Sequence, residues 1–277
     1  MFKKICLSLL PCCCLLAPML ASTDLAADNI YKYQDEDGIW HFTDRAPDEG
    51  VKFDTVFMER EVEPRIRMRQ QGTKHNPVYM LFNDFWGPVE LEISLAEAVN
   101  IISEPPLPAR FVLPAQTEEA LVGLGALDTA KGFSYQIQVK TVPGRPVKRR
   151  VENLVVRPPF APRESFLVSQ GFNGASTHAG PQNQYAVDFN MPVGTAVHAV
   201  RSGVVMDIEE DFNKAGTTEG FEDKANHVRI LHDDGTMALY AHLDLASVFV
   251  RLGGKVRAGQ KIARSGNTGF STGPHLH

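Results

Sequence analysis

The sequence predicts an all-β protein, and three observations carry that expectation. Apolar and polar residues alternate with period two in short runs, as in Val89-Glu-Leu-Glu-Ile-Ser-Leu95 and Phe133-Ser-Tyr-Gln-Ile-Gln-Val139. Turn residues separate these runs, as in Pro192-Val-Gly194, Asp233-Asp-Gly235 and Gly266-Asn-Thr-Gly269. The last hundred or so residues carry no apolar repeat of helical period. The architecture expected is a C-terminal domain built on an antiparallel β-sheet or barrel, preceded by a β-sandwich-like domain and a small N-terminal hairpin module. A chain of 277 residues accommodates about two domains of ordinary size.

Residues 1–22 read as a secretory signal peptide. Lys3 and Lys4 form a basic start, an apolar run follows from Ile5 to about Leu20, and small residues come next at Ala21, Ser22, Ala26 and Ala27. Cleavage is expected between 21 and 27. Pro11 and Pro18 interrupt the short run, which argues against a spanning helix. A lipid anchor on Cys12, Cys13 or Cys14 is the weaker alternative, because Leu9-Leu-Pro11 lacks the small residue usual before a lipidated cysteine. All four cysteines fall in this segment, so the mature chain has neither disulfides nor thiolate metal ligands. Losing Lys3 and Lys4 takes the formal charge from −5 to −7. With no basic stripe, nucleic acid is excluded as a partner. The expected location is the periplasm or cell envelope, with the membrane met only through the leader or such an anchor.

The mature chain divides by composition. Residues 27–57 read as the hairpin module, with aromatic-rich strands flanking Asp35-Glu-Asp-Gly38, and they resemble a small periplasmic module of proteobacterial envelope proteins. A charged linker is expected over 58–75. Residues 76–157 read as the β-sandwich, with strands at Val78–Phe82, Val89–Leu95, Ala109–Leu113 and Phe133–Val139, and no chemistry of its own. Pro158-Pro159-Phe-Ala-Pro162 reads as a second linker. The C-terminal domain spans 163–277, with strands expected at Ala196–Val200, Gly203–Ile208, His227–His232, Met237–His242 and Lys261–Ala263.

The chemistry lies in that last domain. In Gly269-Phe-Ser-Thr-Gly-Pro-His275-Leu-His277, strand alternation points His275 and His277 the same way, and two imidazoles on one face suit a metal. In Tyr240-Ala-His242-Leu, the same alternation puts Tyr240 and His242 on one face. In Tyr185-Ala-Val-Asp188-Phe, Asp188 lies opposite Tyr185, Val187 and Phe189, where a carboxylate is costly to bury unless paired or metal-bound. Taken singly, each is as readily a structural residue. Together with His178 they supply one carboxylate and four imidazoles, enough for three ligands, a proton acceptor and an oxyanion stabiliser.

The order His178 … Asp188 … Tyr240-x-His242-Leu … His275-x-His277 resembles the lysostaphin/LytM-type zinc metallopeptidases, the peptidoglycan endopeptidases with a duplicated-hybrid-motif β-barrel domain. Pro192-x-Gly-Thr195, Gly203-x-Val205 and Ser271-Thr-Gly-Pro-His-Leu-His277 support the likeness, which covers about residues 163–277. The resemblance implies Zn2+ held by His178, Asp188 and His277. It also implies that His242 and His275 flank the attacking water, one as general base and the other stabilising the tetrahedral intermediate. The implied function is hydrolysis of peptide cross-links in peptidoglycan, at D-alanyl–diaminopimelate bonds or at glycine bridges. The alternative is an inactive module of the same fold that activates other wall hydrolases. Many relatives place the first histidine four residues before the aspartate, where this chain has Gln184, so His178 takes that role at a longer spacing. Relatives also continue past the final histidine with another strand, so the sequence reads as a fragment at that end. His198, His227 and His232 are expected to be structural or rim residues.

Overall fold

The computed structural model describes residues 29–35, 38–43, 47, 50–57, 62–147 and 154–277. The expected leader, with the four cysteines, lies outside the described residues. Every regular element among the described residues is a strand, so the all-β expectation holds. The chain falls into two compact units, divided after residue 58.

The N-terminal unit is an antiparallel sheet of β1 (Asn29–Gln34), β2 (Trp40–Thr43) and β3 (Phe53–Phe57), with β1 central. The expected hairpin is β1–β2, registered from Gln34 opposite Trp40 to Tyr31 opposite Thr43, and β3 adds a third strand on the other edge of β1. At the turn, the Gln34 side chain donates to the Gly38 carbonyl, and Gly38 has a positive φ of 78°.

The second unit begins with a sandwich. One sheet is β4 (Ile66–Gly72), β5 (Pro77–Asn83), β9 (Glu118–Ala126) and β7 (Ile101–Glu104), in the order β4-β5-β9-β7. The other orders β10 (Ser134–Pro143), β6 (Val89–Val99) and β8 (Ala109–Leu113) as β10-β6-β8. The stretch 58–75, expected as a linker, contributes β4. Its Arg-Met-Arg-Gln-Gln run shows little apolar alternation because β4 is an exposed edge strand. Strand β5 alternates buried and half-buried residues along its whole length. Leu81, Leu91, Ile93 and Leu113 are fully buried between the sheets. Each contributes about 1.5–3 kcal/mol relative to exposure.

The C-terminal part consists of short strands around one core. Its main sheet orders β17 (Met237–Ala241), β16 (His227–Leu231), β14 (Gly203–Glu209) and β18 (Lys255–Val256). Antiparallel pairs join β11 (Val168–Gln170) to β12 (Asp188–Phe189) and β13 (Ala196–His198) to β19 (Lys261–Arg264). A parallel pair joins β15 (Ala215–Gly216) to β20 (Gly269–Phe270). Met191, Val205, Val228, Ile230, Tyr240, Leu243, Ile262 and Leu276 form its core.

One face of the main sheet is anchored on the sandwich. Met206 is fully buried within the sandwich core, and its backbone carbonyl accepts from Trp86 N–H at 2.9 Å. A Cβ at Gly87 would meet Met206 Sδ at 2.8 Å, so the glycine leaves the space that the Met206 side chain fills. Gly253, at φ +71°, similarly lies under the Trp86 ring, where a Cβ would come within 2.3 Å. Truncating Met206 leaves a cavity shared by both layers. We expect Met206→Ala to lower the stability of the purified protein by about 2–5 kcal/mol in urea unfolding. A change under about 0.5 kcal/mol would mean that this joint contributes nothing to stability.

Candidate metal centre

His178 sits in the turn-rich loop between β11 and β12, with its backbone N–H donating to the Gly174 carbonyl. Its side chain is fully buried. Nδ1–H donates to the Gly171 carbonyl at 2.9 Å, which leaves Nε2 as a lone pair directed at the site. Asp188 opens β12 and is paired in register with Gln170 of β11. The Gln170 amide donates to Asp188 Oδ2 at 3.3 Å and to Thr177 Oγ1 at 2.6 Å, which ties the two segments together. The residue after Asp188, Phe189, exchanges both backbone hydrogen bonds with Leu276 at 2.9 Å. That pair sets His277 beside Asp188. Ala241 N–H then donates to the His277 carbonyl, which fastens the segment to β17.

Three potential ligand atoms thereby converge. His277 Nδ1 lies 2.9 Å from Asp188 Oδ1, His178 Nε2 lies 3.2 Å from Asp188 Oδ2, and the two ring nitrogens are 3.3 Å apart. All three residues offer one such atom within 4.8 Å of the others. With the His178 proton held by Gly171, its Nε2 and the carboxylate are both acceptors. Their contact is satisfied by a cation or by an extra proton. Burial pushes the Asp188 carboxyl up, but the hydrogen bond from His277 and the imidazoles of His277, His178 and His275 outweigh it, and its pKa lies below the usual value. Two imidazoles and a carboxylate, with no thiol, match the donor set of a catalytic zinc with one coordination position left for water. The Gly171 carbonyl and the Gln170 amide are the outer partners that orient such ligands.

His242 and His275 stand against this trio, with ring centroids 4.4 Å apart, and His242 is 5.9 Å from the His277 ring. His242 donates from Nδ1 to the Thr268 carbonyl at 2.6 Å. Burial lowers its pKa, the Thr268 bond opposes this, and neighbouring His275 and His277 lower it further, to about 4. His242 is therefore neutral at physiological pH, with Nε2 unprotonated. His275 donates from Nδ1 to the Gly273 carbonyl at 2.8 Å, with the Ser271 hydroxyl 3.3 Å away. Both rings present Nε2 to a groove of about 1180 Å³ that also exposes Asp188 and His277.

The five candidate residues thus meet at one place. One local expectation is corrected. Tyr240 and His242 do not share a face: Tyr240 is buried in the core, where its hydroxyl accepts from Val200 N–H at 2.7 Å, whereas Leu239, Ala241 and His242 line the groove. Alternation breaks because His242 adopts a left-handed conformation, φ 59°, just past the end of β17. Tyr185 likewise leaves the apolar face of Phe189, because β12 is only two residues long, and it packs edge-on against Phe172. Among the remaining histidines, His227 lines the groove, with Nε2 3.0 Å from Asp207. His232 is buried against the Ser202 carbonyl. Sequence reasoning missed Gln170 and the carbonyls of Gly171, Thr268 and Gly273, and backbone acceptors leave no signature in side-chain identity.

Residues 182–277 match the model of Peptidase family M23, and residues 12–57 match a Domain of unknown function (DUF4124). The peptidoglycan DD-endopeptidase ShyA of Vibrio cholerae is 36% identical over 115 residues, which cover 40% of this chain and 24% of that protein. Lysostaphin of Staphylococcus simulans is 37% identical over 93 residues, 34% of this chain and 17% of that one. The crystallised catalytic domain of lysostaphin shares 32% identity across 40% of this chain and 74% of that domain, with a TM-score of 0.28. The chain spans about a quarter or less of the length of these curated relatives. Residues 182–277 are thus a peptidase M23 domain, homologous to lysostaphin and ShyA.

Proposed function

We propose that the C-terminal domain is a zinc-dependent endopeptidase that hydrolyses peptide cross-links of peptidoglycan, in a protein exported to the cell envelope. The convergence of His178, Asp188 and His277 carries this reading. Relatives named as a peptidoglycan DD-endopeptidase and a glycyl-glycine endopeptidase support the substrate class, and the N-terminal leader supports export. His178 through Nε2, Asp188 through its carboxylate and His277 through Nδ1 would hold the metal. When bound, zinc polarises a peptide carbonyl and makes water a competent nucleophile near neutral pH.

The chain's own residues do the rest. Gly171 fixes the His178 tautomer, and Gln170 steadies the aspartate. His242 and His275, each anchored through Nδ1 on a backbone carbonyl, direct Nε2 at the space above the three ligands. One takes the proton of the attacking water on its free Nε2, and the other, when it carries a proton on Nε2 as well as on Nδ1, donates that Nε2–H to the oxyanion that forms. The substrate peptide lies in the groove along β16 and β17, past Leu239 and Ala241. The competing reading, an inactive module that activates other hydrolases, leaves this complete set of ligands and flanking imidazoles without a use.

Elemental analysis of the purified protein should find about one zinc per chain. Asp188→Ala should lose both the metal and the release of cross-linked peptides from isolated peptidoglycan. His275→Ala should keep the metal and lose turnover by about a hundredfold or more. Zinc-free wild type that stimulates a second hydrolase would favour the inactive module. Metal removal should also destabilise the fold. Zinc at a hundred times its dissociation constant adds about 2.7 kcal/mol, so a chelator should lower the thermal midpoint of wild type. Asp188→Ala should show no such response.

A further inference from the structure

The groove holds a cation that the proposed chemistry does not use. Arg229 lies on β16 opposite Leu239, on the face that also carries His227 and Ala241. Its Nε is buried with no hydrogen-bond partner. Among the described residues its guanidinium makes no ion pair, although Asp207 stands across from it on β14. Asp207 is already engaged: Arg65 Nε approaches Oδ1 at 2.8 Å, and His227 Nε2 approaches Oδ2 at 3.0 Å. The next carboxylate on that strand, Glu209, lies 3.7 Å from Arg65.

Asp207 attracts Arg229 across the strands but makes no hydrogen bond or ion pair with it, and a half-buried guanidinium left with unfilled donors is expensive and is completed by an incoming anion. Asn226, whose carbonyl accepts from Leu243 N–H next to His242, is three strand positions before Arg229, so the Arg229 Cα lies roughly 10 Å along the groove from the His242 end of β17. That is within reach of a side group one to three residues from a scissile bond held between His242 and His275. The planar fork of arginine matches a carboxylate bidentately.

We propose that Arg229 is a specificity-determining carboxylate anchor, which binds a free carboxylate of the peptide arm close to the cleaved bond. The inference rests on the endopeptidase reading of the same groove and sharpens it. Acidic stem peptides carry such a carboxylate, whereas a glycine bridge does not. The anchor therefore selects cross-linked acidic stem peptides over glycine bridges and over the same peptides with their carboxylates amidated.

The test compares wild type, Arg229→Met and Arg229→Lys on cross-linked stem peptides with free carboxylates, on their amidated counterparts and on pentaglycine. Wild type should prefer the free carboxylates. Arg229→Met should raise KM for them by about tenfold to a hundredfold with little change in kcat, leave the amidated peptides unaffected, and so erase the preference. Arg229→Lys should retain part of it. Thermal unfolding separates a structural role: removing an unpaired half-buried charge should not lower the midpoint. Equal loss on free and amidated peptides, or an unfolded Arg229→Met, overturns the proposal. Binding to His275→Ala, measured calorimetrically, is independent of turnover. A preference there for free over amidated peptide that Arg229→Met abolishes supports the anchor even if wild type cuts neither. Equal binding of the two overturns it even if cleavage is robust.

Discussion

The site depends on one backbone pairing. Phe189 and Leu276 exchange N–H···O=C bonds across 86 residues of intervening chain, and this places Asp188 and His277 side by side. Both Phe189 and Leu276 also turn apolar side chains into the core, where Leu276 is 2% exposed. Alternation then forces their neighbours, Asp188 on one strand and His275 and His277 on the other, to face the groove. The candidate metal site and the hydrophobic core are thus two faces of the same pair of short strands.

His178 joins that pair by a different route. It belongs to a loop with no regular structure, held by Gly174 through its backbone and by Gly171 through its ring. Fixing the proton on Nδ1 leaves Nε2 an acceptor rather than a donor. The same device recurs at His242 with Thr268 and at His275 with Gly273, so backbone carbonyls set three of the four tautomers around the site. Main-chain acceptors suit this task because they cannot titrate and are fixed by the fold itself.

Much of this was legible in the sequence. Strands β5, β6, β8 and β10 follow from period-two runs bounded by turn residues, and β14, β16 and β17 from apolar runs between turn residues, because each is long enough to register. The two-residue strands β12, β15, β18 and β20 leave no periodic trace, and β12 carries a candidate ligand, Asp188. The identity of the five polar candidates came from combining motifs, but their convergence is a long-range property that no local pattern encodes. His178 was the least secure, being separated from Asp188 by a loop rather than by a fixed strand spacing. The misplaced face of Tyr240 came from assuming that alternation continues through His242, where a positive φ ends it. Arg229 escaped notice because a single arginine in a strand looks like a solvated surface residue until Asp207 is found already committed to Arg65 and His227.

The central claim is that three side chains from distant segments share one divalent ion. Anomalous diffraction at the zinc absorption edge from crystals of the zinc-loaded protein tests it most directly. The account predicts a single strong peak at about 2.0–2.2 Å from His178 Nε2, an Asp188 carboxylate oxygen and His277 Nδ1. A peak held by other residues, or none near this trio in protein that binds zinc stoichiometrically, would contradict it.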